Sequence, residues 1–466
     1  MSEKRGLVII GGGPGGYVAA LRAAQLGKKA TLIEEDRIGG ICMNYGCIPT
    51  KFLLSQTQLS SELKRFQRFE GITQSLRLAW KRVQADKRSA VDRLVRGVEF
   101  LLERNGVEVL KGRGVLGGDR EIIFQGFGGE RKFTAERIIL AMGSRPAGLP
   151  VATPDGKSVI THLEALEWED VPKSLIVIGA GAVGLEIGAI YLRAGAEVTV
   201  LEIMPTILPG MDRQMAQRLE RILKKQGLKI LTEMRIEACD YRGGQPRLTG
   251  TSLKTQSRFE FSAEKILLAV GRRPNSDSLR ENYSHLLDRA GFVLINDKLE
   301  TQLPGVYAIG DLIGGKLLAH KASHEGVIAA ENAAGMKSEM QTGALPMAVF
   351  TEPEFAAVGL TEEEARAKGI ELRIGLFSLQ ANSRAVTLDS PEGMVKIIAG
   401  TDDRVIGAHL LTPFASEMLA ELTLAIRKGL KVQDIFSTIH IHPTISESIV
   451  EAALKVKGLA LHALND

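Results

Sequence analysis

Two stretches of the chain repeat one pattern: a short apolar run, a glycine cluster, a helical stretch, and a second apolar run ending in an acid. The first is Leu7-Val-Ile-Ile-Gly-Gly-Gly-Pro-Gly-Gly16, followed by Ala30-Thr-Leu-Ile-Glu34. The second is Leu175-Ile-Val-Ile-Gly-Ala-Gly-Ala-Val-Gly184, followed by Val198-Thr-Val-Leu-Glu202. Short apolar runs of this kind predict strands. Each copy closes on a further strand, Ala135-Glu-Arg-Ile-Ile-Leu-Ala-Met-Gly143 and Ala263-Glu-Lys-Ile-Leu-Leu-Ala-Val-Gly271. Another strand is expected at Gly305-Val-Tyr-Ala-Ile-Gly-Asp311. Beyond about Gly343, strand-like runs (Val395-Lys-Ile-Ile398, Val405-Ile-Gly-Ala408) alternate with helices as far as Asp466. That change of pattern predicts an α+β domain beginning near Pro346.

The glycines have a specific physical meaning. Gly11, Gly13 and Gly16 in the first copy, and Gly179, Gly181 and Gly184 in the second, fit the dinucleotide-binding spacing between a strand and a helix. The first glycine allows the tight turn, the second lets backbone amides approach a pyrophosphate, and the third lets helix and strand pack closely. Glu34 and Glu202 each lie 23 positions after the first glycine of their copy, at the distance expected of the acid that accepts hydrogen bonds from a ribose. The fold class is therefore α/β: two Rossmann-like dinucleotide-binding domains plus an α+β C-terminal domain. Two such sites imply two dinucleotides. From first to closing glycine the copies span 132 and 92 residues. The longer first copy suggests a cofactor held permanently, and the shorter second copy one that comes and goes.

Composition narrows the picture. The 466 residues are 44% hydrophobic and 24% charged, with a net charge of +4. Lys64 to Arg104 is the most basic stretch, but aromatics are not interleaved with its charges, so it reads as a solvated helix face and not as a nucleic-acid site. No apolar run approaches the roughly 18 residues a membrane span needs. The first strand begins too soon to leave room for a signal peptide, so a cytoplasmic location is expected. Three cysteines do not make a disulfide scaffold, and Cys239, standing alone, reads as an inert thiol.

The close pair Cys42 and Cys47 lies in Gly39-Gly-Ile-Cys-Met-Asn-Tyr-Gly-Cys-Ile-Pro-Thr-Lys51. In a regular helix their Cα atoms would stand roughly 8.7 Å apart, beyond the ~7 Å reach of a disulfide. A bonded pair therefore needs a distorted turn, which Gly46 can permit, and a helix start there would lower thiolate pKa values. Metal binding and two unrelated buried thiols are the competing readings. The metal reading lacks a nearby Cys or His to complete the site, so no metal is expected. Near the C-terminus, His440-Ile-His-Pro-Thr-Ile-Ser-Glu447 is either a turn with a helix cap or an imidazole, His442, oriented by Glu447 to take a thiol proton.

Together these residues resemble the pyridine nucleotide–disulfide oxidoreductases, and within them the dihydrolipoyl dehydrogenases, over essentially the whole chain. The resemblance runs through the first glycine motif with Glu34, the Cys-x4-Cys-x3-Lys segment, and the second glycine motif with Glu202. It continues through Gly271-Arg-Arg-Pro274, Gly310-Asp311, Leu318-Ala-His-Lys-Ala322 and His442-Pro443 with Glu447. It implies an FAD domain (residues 1–146 and 271–343), an NAD domain (147–270) and a C-terminal dimerisation domain (344–466). FAD would be held by the first motif, Gly114 by the adenine, Asp311 on the ribityl chain, and Ala319 and Lys51 by the flavin. NAD would be held by the second motif and Gly271. Lys51 would pair with Glu186. Cys47 would touch the flavin, Cys42 would exchange with substrate, and His442 with Glu447 would serve the partner's site in a homodimer. The bond before Pro443 would be cis.

The resemblance further implies oxidation of dihydrolipoamide carried on lipoyl domains of 2-oxo acid dehydrogenase or glycine-cleavage complexes. Glu202 and Gly184 favour NAD over NADP. Ala182 stands where glutathione reductases carry a gating tyrosine, and the chain end lacks the second cysteine pair of mercuric reductases. Met142 departs from the usual threonine. Two other readings remain open: an NADH-dependent reductase of another disulfide, and a non-catalytic flavin redox sensor.

Overall fold

The computed structural model describes residues 3–65, 78–340 and 343–465. Part of the basic stretch between Lys64 and Arg104 thus lies outside the described residues. The remainder is the helix Trp80–Arg104, which follows the helix Cys47–Arg65 in chain order. The chain divides into two compact units. The first comprises Met1–Gly148, Thr161–Asp170 and Val270–Met340, and the second Leu149–Ile160, Val171–Ala269 and Gln341–Asp466.

In the first unit the strand Glu3–Ile10 lies between Ala30–Glu34 and Gly129–Leu140, parallel to both. Its apolar run Leu7–Ile10 is buried throughout, as expected of a strand covered on both faces. Glu108–Leu116 extends the parallel sheet beyond Ala30–Glu34, and Val306–Ala308 extends it beyond Gly129–Leu140. Two of these strands are long enough to serve twice. The far half of Glu108–Leu116 and the near half of Gly129–Leu140 join Glu121–Gly126 in an antiparallel meander.

The second unit repeats this plan. Its parallel sheet runs Lys229–Leu231, Glu197–Leu201, Ser174–Ile178, Lys265–Leu268, Val159–Ile160, with a meander of Met234–Arg242, Gln245–Ser252 and Arg258–Ser262. The order (third, second, first, last, extra) is the same in both units. Only the source of the extra edge strand differs: the first unit takes it from after the repeat and the second from before it. No sequence pattern marked Val159–Ile160, a strand of two residues.

The C-terminal part of the second unit is an antiparallel sheet in the order Met347–Val349, Glu354–Gly359, Val405–Thr412, Met394–Gly400, Leu372–Ser378. Helices Ala415–Lys428 and Glu447–Val456 bury Leu419, Leu422, Ile449 and Ala453 against Val395, Ile397 and Leu410. Among the described residues no helix is long and apolar enough to cross a membrane.

One buried charge cluster stands out in this unit. Lys396, 1% exposed, donates to Asp212 at 2.8 Å and to Glu362 at 2.7 Å. Asp212 also caps the helix Arg213–Lys225 by accepting from the Met215 N–H. Burial opposes its ionisation, but His409, Lys396 and that N–H hold the carboxyl below its usual range. Removing one member of a buried pair strands the other charge, at a cost of about 3–5 kcal/mol. A Lys396→Met protein, similar in volume, is expected to lose about 3 kcal/mol of unfolding free energy in urea titration. A loss below about 1 kcal/mol would mean that the carboxylates had found other partners.

Candidate active site

The two glycine turns are the same object built twice. Gly11 N–H donates to Ile33 O and Gly179 N–H to Leu201 O, both at 2.8 Å. Both glycines take positive φ, 103° and 105°. A Cβ on Gly16 would lie 1.8 Å from the Gly11 carbonyl oxygen, and one on Gly184 would lie 2.0 Å from that of Gly179. The third glycine thus lets the helix start directly on the turn. A Cβ on Gly13 or Gly181 would meet no protein atom within 4 Å, so those backbones face open space. Each begins a helix, Pro14–Gln25 or Ala182–Ala194, whose first N–H groups have no side-chain cap. Such free donors suit a phosphate.

The two acids are held alike. Glu34 accepts from Gly12 N–H at 2.6 Å and from Asp36 N–H at 2.8 Å. Glu202 accepts from Ala180 N–H at 2.6 Å and from Met204 N–H at 2.9 Å. One amide on each oxygen fixes the carboxylate and leaves lone pairs for sugar hydroxyls. Burial pushes the Glu34 carboxyl up against the pull of its two amides. Beside it opens a cavity of about 390 Å³, walled by Arg37, Ile38, Asp92, Arg96, Val109 and Lys111.

Asp311 begins a network that the sequence did not reveal. It lies in the turn Gly310–Ile313 and accepts from the Ser144 hydroxyl. Arg272 donates to Ser144 Oγ and to Ser144 O, both at 2.7 Å, and sits 3.5 Å from Asp311. Its other side faces the buried ring of His162, which burial and Arg272 push down to about 4. Burial lowers the pKa of Arg272 itself, opposed by Asp311 and Cys47. Asn275 donates to Met142 O at 2.8 Å, so the backbone at Met142 is held without the usual threonine side chain. The signal in the sequence was the matching pair Gly-Ser-Arg-Pro and Gly-Arg-Arg-Pro, whose residues Ser144–Pro146 and Arg272–Pro274 pair antiparallel.

Ala319 opens the helix Ala319–Ala333. Below it the buried Glu325 accepts from Gly310 N–H at 2.8 Å and pairs with Lys321 at 2.7 Å, fixing the Asp311 turn. Gly114 is buried against Ile33 and Ile10. Gly271, expected with NAD, packs with the first unit. Glu186 is buried in the second unit and accepts from Phe350 N–H at 2.9 Å.

The cysteine segment is two helices, not one distorted turn. Gly40–Tyr45 carries Cys42, Gly46 breaks the helix, and Cys47 begins Cys47–Arg65. A side chain at the break would meet Ile41 O at 3.0 Å. The break brings the sulfurs into hydrogen-bond contact, both as thiols. At Cys42 the hydrogen bond to Cys47 and burial push the thiol pKa up, with Lys51 opposing. Cys47 is the sulfur that stands at a helix start. Lys51 follows Cys47 by one turn of the same helix.

In the second unit His442 precedes a cis peptide bond to Pro443, as the resemblance implied. Its Nδ1 lies 2.9 Å from Glu447 Oε1, and Thr444 N–H donates to Glu447 Oε2 at 2.8 Å. Burial would raise the Glu447 carboxyl, but the Thr444 amide and the His442 ring hold it below its usual range. The ring is 71% exposed, and Glu447 leaves its Nε2 free for a substrate proton.

Residues 5–326 match the pyridine nucleotide-disulphide oxidoreductase family, and residues 345–453 match the dimerisation domain of the same proteins. The chain belongs to this family. A dihydrolipoyl dehydrogenase of Thermus scotoductus is 43% identical over 98% of this chain and 99% of its own length. One from Geobacillus stearothermophilus is 38% identical over 98% of this chain and 97% of its own length. The crystal structure of LpdA from Mycobacterium tuberculosis superposes with a TM-score of 0.88 at 29% identity, covering 97% of this chain and 99% of that one. FAD and NAD are the cofactors of this oxidoreductase, and the open glycine turns with their amide-held acids fit two dinucleotides.

Gly16→Ala forces a Cβ onto backbone, so the purified variant should carry little flavin by absorbance and by release on heating. Full flavin content would show that the helix can retreat from the turn without losing the cradle.

Proposed function

We propose that the chain oxidises protein-bound dihydrolipoamide to lipoamide and passes the two electrons to NAD. The Cys42–Cys47 contact across the Gly46 break carries this reading: it pairs two sulfurs that must form and break one bond. The homology of the whole chain to dihydrolipoyl dehydrogenases supports it.

The cycle starts with the pair as a disulfide. His442, oriented by Glu447, takes a proton from one substrate thiol, and the resulting thiolate attacks Cys42 Sγ. The S–S bond breaks and Cys47 leaves as a thiolate. The second substrate thiol attacks the substrate sulfur of the mixed disulfide, its proton passing to His442 as the first moves on to Cys42. Lipoamide leaves, and Cys42 departs as a thiol with the proton returned by His442. Two cysteine sulfurs are then reduced and one dithiol oxidised. Bound FAD and NAD supply the onward electron transfer from Cys47 to nicotinamide.

FAD is assigned to the turn of Gly11, Gly13 and Gly16 with Glu34, Gly114, Asp311 and Ala319. NAD is assigned to Gly179, Gly181, Gly184 and Glu202, with Gly271 on the resemblance alone. Glu202 would repel a 2′-phosphate and so favours NAD. Lys51 and Glu186 keep the roles the resemblance gives them. The working form is proposed to be a homodimer in the cytoplasm, with His442 and Glu447 serving the partner's cysteines and lipoyl domains bringing the substrate.

Purified protein given dihydrolipoamide and NAD should produce NADH, followed by absorbance; no turnover by flavin-loaded protein would overturn the reading. Cys47→Ser should abolish turnover while flavin stays bound. His442→Gln should lower kcat/KM by about 10²–10⁴-fold, and a loss below tenfold would remove it from the proton-transfer step.

A further inference from the structure

The helix Ala182–Ala194, which opens on the second glycine turn, carries just two charged residues, Glu186 and Arg193. They stand two turns apart, so they share one face of the helix, roughly 10.5 Å apart along its axis. Both grip one short segment of the C-terminal sheet, the link between the strands Met347–Val349 and Glu354–Gly359. Glu186 accepts the Phe350 N–H at 2.9 Å. Arg193 Nη2 lies 3.1 Å from Glu352 Oε2, and the two side chains are only 8% and 17% exposed.

The segment is itself held in shape. The buried Thr351 donates its hydroxyl to Pro353 O at 2.8 Å. Gln226, just past the helix Arg213–Lys225, donates to Glu352 O at 2.6 Å. The next acid, Glu354, is engaged on the other side by the Ser416 N–H and hydroxyl. The nearby Lys225–Glu392 pair is exposed and contributes little. Glu352 is thus the carboxylate of this segment that meets the nucleotide-binding helix.

We propose that Arg193 and Glu352 are positioning residues for NAD: with the Phe350 N–H on Glu186, they fix the register of the helix whose first turn faces the phosphates. The proposal rests on the assignment of NAD to the second glycine turn. A buried ion pair adds little net stability over apolar groups of the same volume, and its best-attested use is to select one register. Here a charge pair in the last turn and a hydrogen bond in the second allow one axial position and one rotation. The uncapped N–H groups at the helix start and the Glu186 carboxylate belong to the same rod, so a slide or roll would move both. Loss of the pair therefore weakens NAD, by about 3–30-fold. It spares disulfide exchange, for which the proposed cycle calls on Cys42, Cys47, His442 and Glu447.

The decisive variant combines Arg193→Met with Glu352→Gln, which removes both charges and strands neither. Where that protein does not fold, Glu352→Gln alone takes its place. Calorimetric titration of the oxidised, flavin-loaded full-length protein with NAD should show Kd raised about 3–30-fold. The rate at which dihydrolipoamide opens the Cys42–Cys47 disulfide, followed by quenching with an alkylating agent, should stay unchanged. General destabilisation would lower both readouts together, so the split between them marks positioning. A Kd within about threefold of the starting protein, or a rise matched by an equal loss in the opening rate, overturns the proposal. Adding Arg193→Met to a protein that already carries Glu352→Gln should weaken NAD little further, because the pair is already broken; a second full loss would show two independent effects and overturn it as well. Failure of dihydrolipoamide to open the disulfide of the unaltered protein would count against the substrate reading alone, and the NAD titration would still decide the role of the pair.

Discussion

The seat of the third glycine on the carbonyl of the first is the constraint from which the rest follows. With no Cβ at Gly16 or Gly184, the helix begins within touching distance of the turn, and its free N–H groups face the open side of Gly13 or Gly181. The same turn aims the next amide, at Gly12 or Ala180, onto the acid that ends the neighbouring strand. Phosphate donors and ribose acceptor are therefore fixed relative to each other by backbone alone. That explains why two units with different connections for their edge strands share one sheet order and hydrogen bonds matching to within about 0.1 Å.

A second local constraint governs the sulfurs. A continuous helix would hold Cys42 and Cys47 too far apart to bond, and the break at Gly46 removes that separation. Contact between two thiols makes the first proton hard to remove from Cys42, because Cys47 shares it and burial disfavours charge. In the proposed cycle, opening the pair by exchange leaves the charge on the other sulfur. Arg272 lies within electrostatic reach of Cys47 and is itself fixed by Ser144 and Asp311. The chemistry thus depends on which sulfur carries the charge, and the surroundings of the two differ accordingly.

What could be read from the sequence follows the range of the interaction. The glycine turns, their acids and the His442–Glu447 pair are encoded within short spacings, and each appears in the structure with the geometry its spacing implied. The network of Ser144, Asp311, Arg272 and His162 joins residues up to 167 positions apart, so only the echo between Gly-Ser-Arg-Pro and Gly-Arg-Arg-Pro hinted at it. Lys396 lies in the strand-like run Val395-Lys-Ile-Ile398, but the partners that let it be buried, Asp212 and Glu362, stand 184 and 34 positions away. The cysteine spacing called for a departure from one regular helix, but not for the two helices that meet at Gly46.

Burial also decides which histidines can take part in proton traffic. His162 is pushed down to about 4 by burial and by Arg272. His409 is driven down by burial, even with Asp212 nearby. Neither ring gains a charge near neutral pH, so both act there as neutral packing and hydrogen-bonding groups. Two other rings, His442 and His462, are oriented by Glu447 and Glu451 of the helix Glu447–Val456. A thiol oxidation releases protons while its electrons leave by another route, and an exposed, oriented imidazole suits the first task as a buried sulfur pair suits the second. The proposed proton acceptor, His442, is oriented by its own carboxylate, Glu447.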